Sequence, residues 1–599
     1  VSDDIRLPES DIADHAAAVA AEPAAVETVP EPQKVDAAPD PATIENPALR
    51  QMKASRKRIV LAGLGFAAVY VAVGLRLFSL GSAAEEHTEA LAAGRNQVST
   101  ARPDILDRNG EVLATDVKSS SLYAEPKRIL DVDEAMEALG SVIPDMRNDE
   151  AVRRKLASKT GFVWLRRELT SEQKRKIFRL GLPGIGFMDE NRRFYPGGAL
   201  AGHVVGTVDV DNRGILGMER AIDRDMGLDA LHAAGFAGER EMKPKRLSLD
   251  IRVQHIVRDE MASAIQRFHA IAGVGIVLDA RTMEVLAMVS LPDFDPNKRE
   301  EAFLKDHLNR ATLGVYEMGS VFKVFNSAFT LDSGKVTLND VYDTTPMQFG
   351  SQKIGEFHSK GRALTVPEIF LYSSNNGSAR MALKVGSEAQ RAFFEKVGLH
   401  RRLDTELPDV ATPLFPKRLS DVSTATMSFG HGISVTPMHT ATAGAAVVNG
   451  GWYADPTFYP RTVEETRFKA TQVIRSETSD KMRYLFLLNA TSGSGGSGSR
   501  AAVPGYRVGG KTGTAEKIDH GKYSGNKRFN SFLAAFPMDD PQYVVLTVLD
   551  EPRAESGGDG PATAGVNAGA AAGDIIRRIA PLLGVMPKYD VPKGSVASN

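Results

Sequence analysis

Cysteine is absent from all 599 residues, and that one absence removes disulfides, thiolate nucleophiles and Cys-ligated zinc or iron–sulfur clusters together. It leaves the redox compartment open, because a chain without thiols tolerates either side of a membrane. Charge of one sign is not in surplus either. With 73 Lys+Arg against 75 Asp+Glu the net charge is −2, so no basic surface is available for wrapping nucleic acid. The 12 His fall in no HExxH and no other close ligand spacing, so neither a metal nor a cofactor is expected. Long apolar runs are scarce as well: there is one, and no second. At roughly one domain per 150 residues, the chain that remains is enough for three or four structural units.

Residues 1–50 are rich in Ala, Pro, Asp and Glu, with no apolar period. Such a segment buries too little apolar surface to offset its ordering entropy, so 1–58 is expected to be a disordered tail. Arg50, Lys53, Arg56, Lys57 and Arg58 then precede the apolar run Ile59–Leu80, whose only charge is Arg76. About 22 residues at 1.5 Å each match the roughly 30 Å hydrocarbon layer, so 59–80 is expected to span a membrane. The basic cluster puts the N-terminus in the cytoplasm and everything after Leu80 outside. A cleaved signal peptide ending near Ser82-Ala83-Ala84 is the rival, but the segment before the run is far too long for an n-region. Gly63–Ala68 also fits GxGxxA, yet no βαβ unit surrounds it.

From 81 to 245 the chain mixes short alternating runs, Gly/Pro turns and charged helical stretches. From 246 to 585 it is more regular, with 586–599 left as a tail. Asp250–Val257 opens an amphipathic helix. Gly273–Leu278 and Glu284–Val289 alternate as a hairpin about Asp279–Met283. Far downstream, Tyr506–Thr514, Phe529–Phe536 and Tyr543–Leu549 predict three more strands, the last two joined by the short turn Pro537–Pro541. A long helical stretch separates the two strand groups. The fold class is therefore α+β, with an antiparallel sheet closed by distant parts of the chain.

Three places fit Ser-x-x-Lys: Ser171/Lys174, Ser320/Lys323 and Ser524/Lys527. Ser320 alone begins an apolar helical run (Val321, Phe322, Val324, Phe325, Ala328, Phe329), where i and i+3 share a face. The helix N-terminus and the apolar neighbours both disfavour a charged Lys323, and a neutral amine is what a serine nucleophile needs as its base. The other two pairs sit in charged, solvated stretches. Beyond Ser320 come Ser373-Ser374-Asn375-Asn376-Gly377 and Val508-Gly509-Gly510-Lys511-Thr512-Gly513-Thr514. SxxK, SxN and KTG in that order form the active-serine signature of penicillin-binding proteins and serine β-lactamases. Gly505–Thr512 also satisfies the Walker A pattern. A P-loop must open a helix, however, and Gly513, Gly521 and Gly525 break any such helix here.

The chain resembles the class B penicillin-binding proteins from the apolar run almost to the C-terminus. Arg102-Pro103-Asp104-Ile105-Leu106-Asp107-Arg108-Asn109-Gly110 resembles the family's RGxIxDRxG motif, with Pro103 in place of Gly. Arg193-Phe194-Tyr195-Pro196 through His203, Gly206, Asp211, Gly214, Gly217 and Glu219 resembles a second motif of its membrane-proximal pedestal. SSN, KTGT and Gly430–Pro437 are similar to the division-specific septal branch (FtsI type), whereas elongation-specific relatives more often carry SxD and KSGT.

The resemblance implies a transmembrane helix, an extended mixed α/β pedestal and a transpeptidase domain whose central antiparallel sheet is flanked by helices. It implies a D,D-transpeptidase that cross-links peptidoglycan stem peptides at the division septum, and is acylated by β-lactams at Ser320. By the family's motifs, Ser320 is the nucleophile, Lys323 its base and Ser373 the proton shuttle. Asn375, Lys511, Thr512, Gly513 and Thr514 bind substrate, and the Ser320 and Thr514 N–H groups form the oxyanion hole. Ser374-Asn375-Asn376 fits SxN too, but Ser373 keeps the family's SSNxG frame. The implied place is the inner (cytoplasmic) membrane, single-pass, with the catalytic domain periplasmic and enriched at the septum. No glycosyltransferase segment is present, so a separate SEDS-type polymerase (FtsW type) and other divisome membrane proteins are the implied partners. The alternatives are an elongation-specific transpeptidase, a vestigial divisome scaffold, and a β-lactamase, for which Glu406 lacks the ExxLN context.

Overall fold

The computed structural model describes residues 63–77, 102–228, 242–356, 359–519, 522–555 and 563–589. Within the apolar run, residues 63–77 are helical. No helix among the described residues is long and apolar enough to cross a membrane, and 59–62 and 78–80 of the expected span lie outside them. The tail 1–58 and residues 590–599 also lie outside the described residues.

The N-terminal part is built on β1 (Ile105–Leu106), β2 (Val112–Ala124), β3 (Val163–Leu169), β4 (Ile185–Phe194) and β5 (Lys245–Arg246). The long β2 pairs antiparallel with β1, β3 and β4, and β5 lies parallel to β1. Its motif residues converge on Glu219 in helix α1 (Gly217–Met226), fully buried between Arg102 Nη2 at 2.8 Å and Arg193 Nε at 2.6 Å. Burial alone would raise the Glu219 carboxyl, but the guanidinium groups of Arg193 and Arg102 hold it below the usual range. Arg193 Nη2 donates to the Pro103 carbonyl at 2.8 Å. A proline lacks only the N–H, so it supplies that acceptor as well as glycine does.

Asp107 joins this part to the next. Its carboxylate accepts from the N–H groups of Asn109 (2.7 Å), Glu111 (2.9 Å) and Ile251 (3.1 Å), the last opening helix α2 (Ile251–Arg267). Asp250 caps the same helix through Arg252 N.

The second part contains a five-stranded antiparallel sheet of β6 (Ala272–Asp279), β7 (Val285–Leu291), β8 (Gly509–Asp519), β9 (Lys522–Phe536) and β10 (Tyr543–Asp550). The spatial order β8-β9-β10-β6-β7 brings the distant strands beside the early hairpin. The β8–β9 hairpin runs well past the expected strand ends. β10 stops pairing at Phe529, so the hairpin beyond it stands off the sheet and carries polar residues such as Glu516 and Lys517.

Alternation along the strands sends side chains to two cores. Val277 and Val545 meet Val257 and Met261 of α2, with Ile575 and Ile576 of a C-terminal helix, Ala568–Leu582. Val274, Ile276, Leu546 and Val548 share the other core with α3 (Phe322–Asp332), α4 (Val366–Tyr372), α5 (Asn375–Val385), α6 (Pro437–Val448) and α7 (Ser476–Ala490). Phe322 and Phe325, fully buried, anchor α3 there. Each large apolar side chain contributes about 1.5–3 kcal/mol.

Candidate active site

Three elements meet where α3 begins. Ser320 lies in a 3₁₀ turn, Gly319–Val321, and the α-helix starts only at Phe322. The tighter winding still stacks i over i+3, and Lys323 Nζ is 2.7 Å from Ser320 Oγ. Gly319 has φ +56°, and a Cβ there would stand 2.5 Å from the Thr514 carbonyl oxygen. A Cβ on Gly513 would stand 2.3 Å from the Met318 carbonyl. Edge strand β8 therefore lies directly against the serine turn only because both positions lack side chains.

The second element is the corner between α4 and α5. Ser373 occupies it in the left-handed region (φ 60°, ψ 41°), and its Oγ faces two amines, Lys323 Nζ at 3.2 Å and Lys511 Nζ at 3.1 Å. Ser374 is spent elsewhere: its hydroxyl caps α5 at Gly377 N and donates to Glu356. The geometry thus brings Ser373, and not Ser374, to the lysines. Lys323 also donates to Asn375 Oδ1 at 2.7 Å. On β8, Thr512 Oγ1 is 2.6 Å from Ser497 Oγ, and Thr514 is partly exposed beside the serine turn.

Both lysines are buried with their amines inside the cluster. Burial, then the neighbouring Lys511, pushes Lys323 well below a free lysine, against an opposing pull from Glu356. The second amine supplies an electrostatic part in the same direction as burial. Burial alone brings Lys511 down to about 7. His431, in the Gly430–Pro437 stretch, is lowered to about 4 by burial and by Lys323. Lys323 thus stands beside a hydroxyl with its proton affinity lowered, and Ser373 bridges it to a second amine.

The other sequence candidates lie apart. Lys174 is bound to Asp189 (2.9 Å) and Ser120 (2.8 Å). Ser524 pairs with Lys517 in the outer part of the β8–β9 hairpin, and Lys527 falls in the bulge between the Lys517–Ser524 and Glu516–Arg528 pairs. Glu406 accepts from Thr457 Oγ1 at 2.6 Å and Phe458 N at 2.8 Å, a loop anchor with both oxygens engaged. Two groups escaped the sequence reading. Glu356 contacts the corner at Ser374–Asn376, and no spacing rule pointed to it. Glu317 accepts from Gly432 N at 2.8 Å and Tyr523 OH at 3.2 Å beside the serine. Its place three residues before Ser320 was the available signal. Among the described residues no His, Asp or Glu cluster could hold a metal.

A buried lysine of lowered proton affinity against a serine hydroxyl, with a second serine between two amines and a sheet edge alongside, is the arrangement an active-serine acyl transfer needs. Residues 273–574 match the family model of the penicillin binding protein transpeptidase domain, and 97–224 that of the penicillin-binding protein dimerisation domain. The "Probable peptidoglycan D,D-transpeptidase FtsI" of Caulobacter vibrioides is 38% identical over 548 residues, spanning 89% of either chain. The FtsI transpeptidase of Escherichia coli is 29% identical over 488 residues, covering 76% of this chain and 80% of that one. The chain belongs to the class B penicillin-binding proteins. Its fold is shared with crystalline penicillin binding protein 3 from Mycobacterium tuberculosis, at TM-score 0.62 and 24% identity over 82% of this chain and 98% of that one.

Proposed function

We propose that this chain is a serine-type D,D-transpeptidase that cross-links peptidoglycan stem peptides during septal wall synthesis, and that β-lactams acylate it at Ser320. The observation that carries the reading is the shared cluster: Lys323 Nζ 2.7 Å from Ser320 Oγ, with Ser373 Oγ bridging Lys323 and Lys511. In the first half-reaction neutral Lys323 takes the Ser320 proton as Oγ attacks the penultimate D-Ala carbonyl. The Ser320 and Thr514 N–H groups hold the developing oxyanion. Collapse breaks the C–N bond, and the proton passes from Lys323 through Ser373 to the leaving D-alanine amine. An amine of a second stem peptide then attacks the ester, the proton returns to Ser320 by the reverse path, and the cross-link amide is released. Lys511, Thr512 and Thr514 receive the substrate carboxylate, Asn375 its amide, and Gly513 lets the peptide lie along β8 as an added strand. A β-lactam enters the first half-reaction only. Glu406 is engaged by its own loop, which leaves it unable to hold a water for hydrolysis of the ester.

The same reading assigns 1–58 to a cytoplasmic tail, 59–80 to a membrane span, 81–245 to the pedestal, 246–585 to the transpeptidase domain and 586–599 to a tail. The catalytic domain is then periplasmic and concentrated at the septum, working with an FtsW-type glycan polymerase and other divisome membrane proteins. Fluorescent penicillin should label the intact protein, and Ser320→Ala should abolish labelling without changing its melting temperature. Labelling retained by Ser320→Ala, or lost in Ser171→Ala or Ser524→Ala, would overturn the assignment.

A further inference from the structure

We propose that Glu356 is a positioning residue for acylation: its carboxylate fixes the Ser373–Asn376 corner and, through it, the orientation of the Asn375 amide against Lys323. The inference rests on the transpeptidase reading above and adds a residue to it. Glu356 follows the small hairpin of Met347–Phe349 and Gln352–Ile354. One of its oxygens accepts from Ser374 Oγ at 2.6 Å and Asn376 N at 2.8 Å, the other from Asn375 N at 3.0 Å. These N–H groups open helix α5, where the backbone has no partners of its own and a negative charge is favoured.

The neighbouring Gly355 carbonyl accepts from Asn375 Nδ2 at 3.2 Å. The amide oxygen is thereby turned to Lys323 Nζ, 2.7 Å away. The reverse orientation would set the amide oxygen against the Gly355 carbonyl oxygen, two acceptors with no proton between them. Ser373 holds a left-handed conformation that a residue with a Cβ adopts only when its surroundings impose it. The residues that follow it, 374 to 376, are all tied to one carboxylate. Glu356 is also the group that favours the charged form of Lys323, where Lys511 from β8 opposes it, and His431 faces the same amine from the loop before α6.

The test is the second-order rate of acylation by fluorescent penicillin as a function of pH, on the full chain in detergent. Glu356→Gln keeps the size but turns an NH₂ toward backbone N–H donors. Misplacing the corner by about 1 Å should lower the maximal rate about 10²-fold. Loss of the negative charge should also move the acidic limb of the profile to lower pH, because Lys323 then sheds its proton more easily. Glu356→Asp should restore the wild-type limb at an intermediate rate. An unchanged rate in Glu356→Gln, or a slower rate whose profile superimposes on wild type, overturns the proposal. Should Glu356→Gln fail to fold, Glu356→Asp decides, and a wild-type rate there overturns it. Failure of the underlying reading shows separately, as wild-type labelling that Ser320→Ala does not remove.

Discussion

At the residue scale the site is a destabilised one. Lys511 loses its charge at about 7 in the folded protein, against 10.5 for a free side chain, because burial strips its hydration. Between those values the unfolded chain binds a proton that the folded chain does not, so this lysine makes stability rise with pH from about 7 to 10.5. Below that window its penalty is in full force, and Lys323, depressed by burial and by Lys511, adds in the same sense. Each tenfold change in proton affinity is worth about 1.4 kcal/mol, so the penalty reaches several kcal/mol. Lys511→Met removes it and gives up a hydrogen bond to Ser373 worth about 1 kcal/mol. Thermal melts at pH 6 should therefore show the Met variant more stable than wild type by about 1–3 kcal/mol, while its acylation rate collapses. A lower melting temperature would show that the buried amine holds the fold together.

Among the elements, glycine decides how close the nucleophile turn and the substrate edge can stand. Gly319 combines a positive φ with a Cβ position 2.5 Å from a strand carbonyl, whereas Gly334 has φ +75° and open space around it. Gly334→Ala should cost only the left-handed conformation, about 1–2 kcal/mol. Gly319→Ala should cost more and push β8 from Ser320, lowering the acylation rate about 10²-fold if the displacement reaches 1 Å. Equal acylation rates in the two variants would remove β8 from the oxyanion site.

The early hairpin, α2 and the strand that carries Lys511 were legible in the sequence because apolar alternation and helical periodicity mark them locally. Ser320, Lys323 and Lys511 were legible because their side chains do chemistry that few spacings serve. Three features were not. The 3₁₀ start of α3 depends on the contact with Thr514, which is made by a strand far downstream. The polar end of the β8–β9 hairpin has no buried face to write a period of two. The carboxylate of Glu356 does its work through backbone N–H groups, and these leave no trace in residue types.

At the scale of the whole molecule, one core runs across the expected boundary near residue 245. The reading placed a boundary near 245, yet Ile105, Leu113, Tyr195, Val204, Met218 and Ile222 are buried in one continuous core with Val274, Met283, Val285 and Phe458. A separate core, with Leu122, Met136, Leu139, Leu156, Leu165 and Ile177, fills the outer lobe of the pedestal. The inner pedestal thus packs as a layer against the strands after residue 245, is tied together internally by the Arg102–Glu219–Arg193 cluster, and joins the outer lobe through β2 and β4. Glu219→Gln keeps the shape and removes the charge that both buried guanidinium groups share; Arg102 keeps Asp223 and Arg193 keeps Asp116, so the loss is that of charge-assisted hydrogen bonds, about 1.5–3 kcal/mol. Because that loss falls in the shared core, the urea midpoint for penicillin acylation should drop together with that for resistance of the pedestal to proteolysis. Leu139→Ala, costing a similar 2–5 kcal/mol in the outer core, should expose residues 112–194 to protease and leave the acylation midpoint where it was. Acylation that survives unchanged in Glu219→Gln, or fails first in Leu139→Ala, would make the pedestal a unit that unfolds by itself, bounded at residue 245.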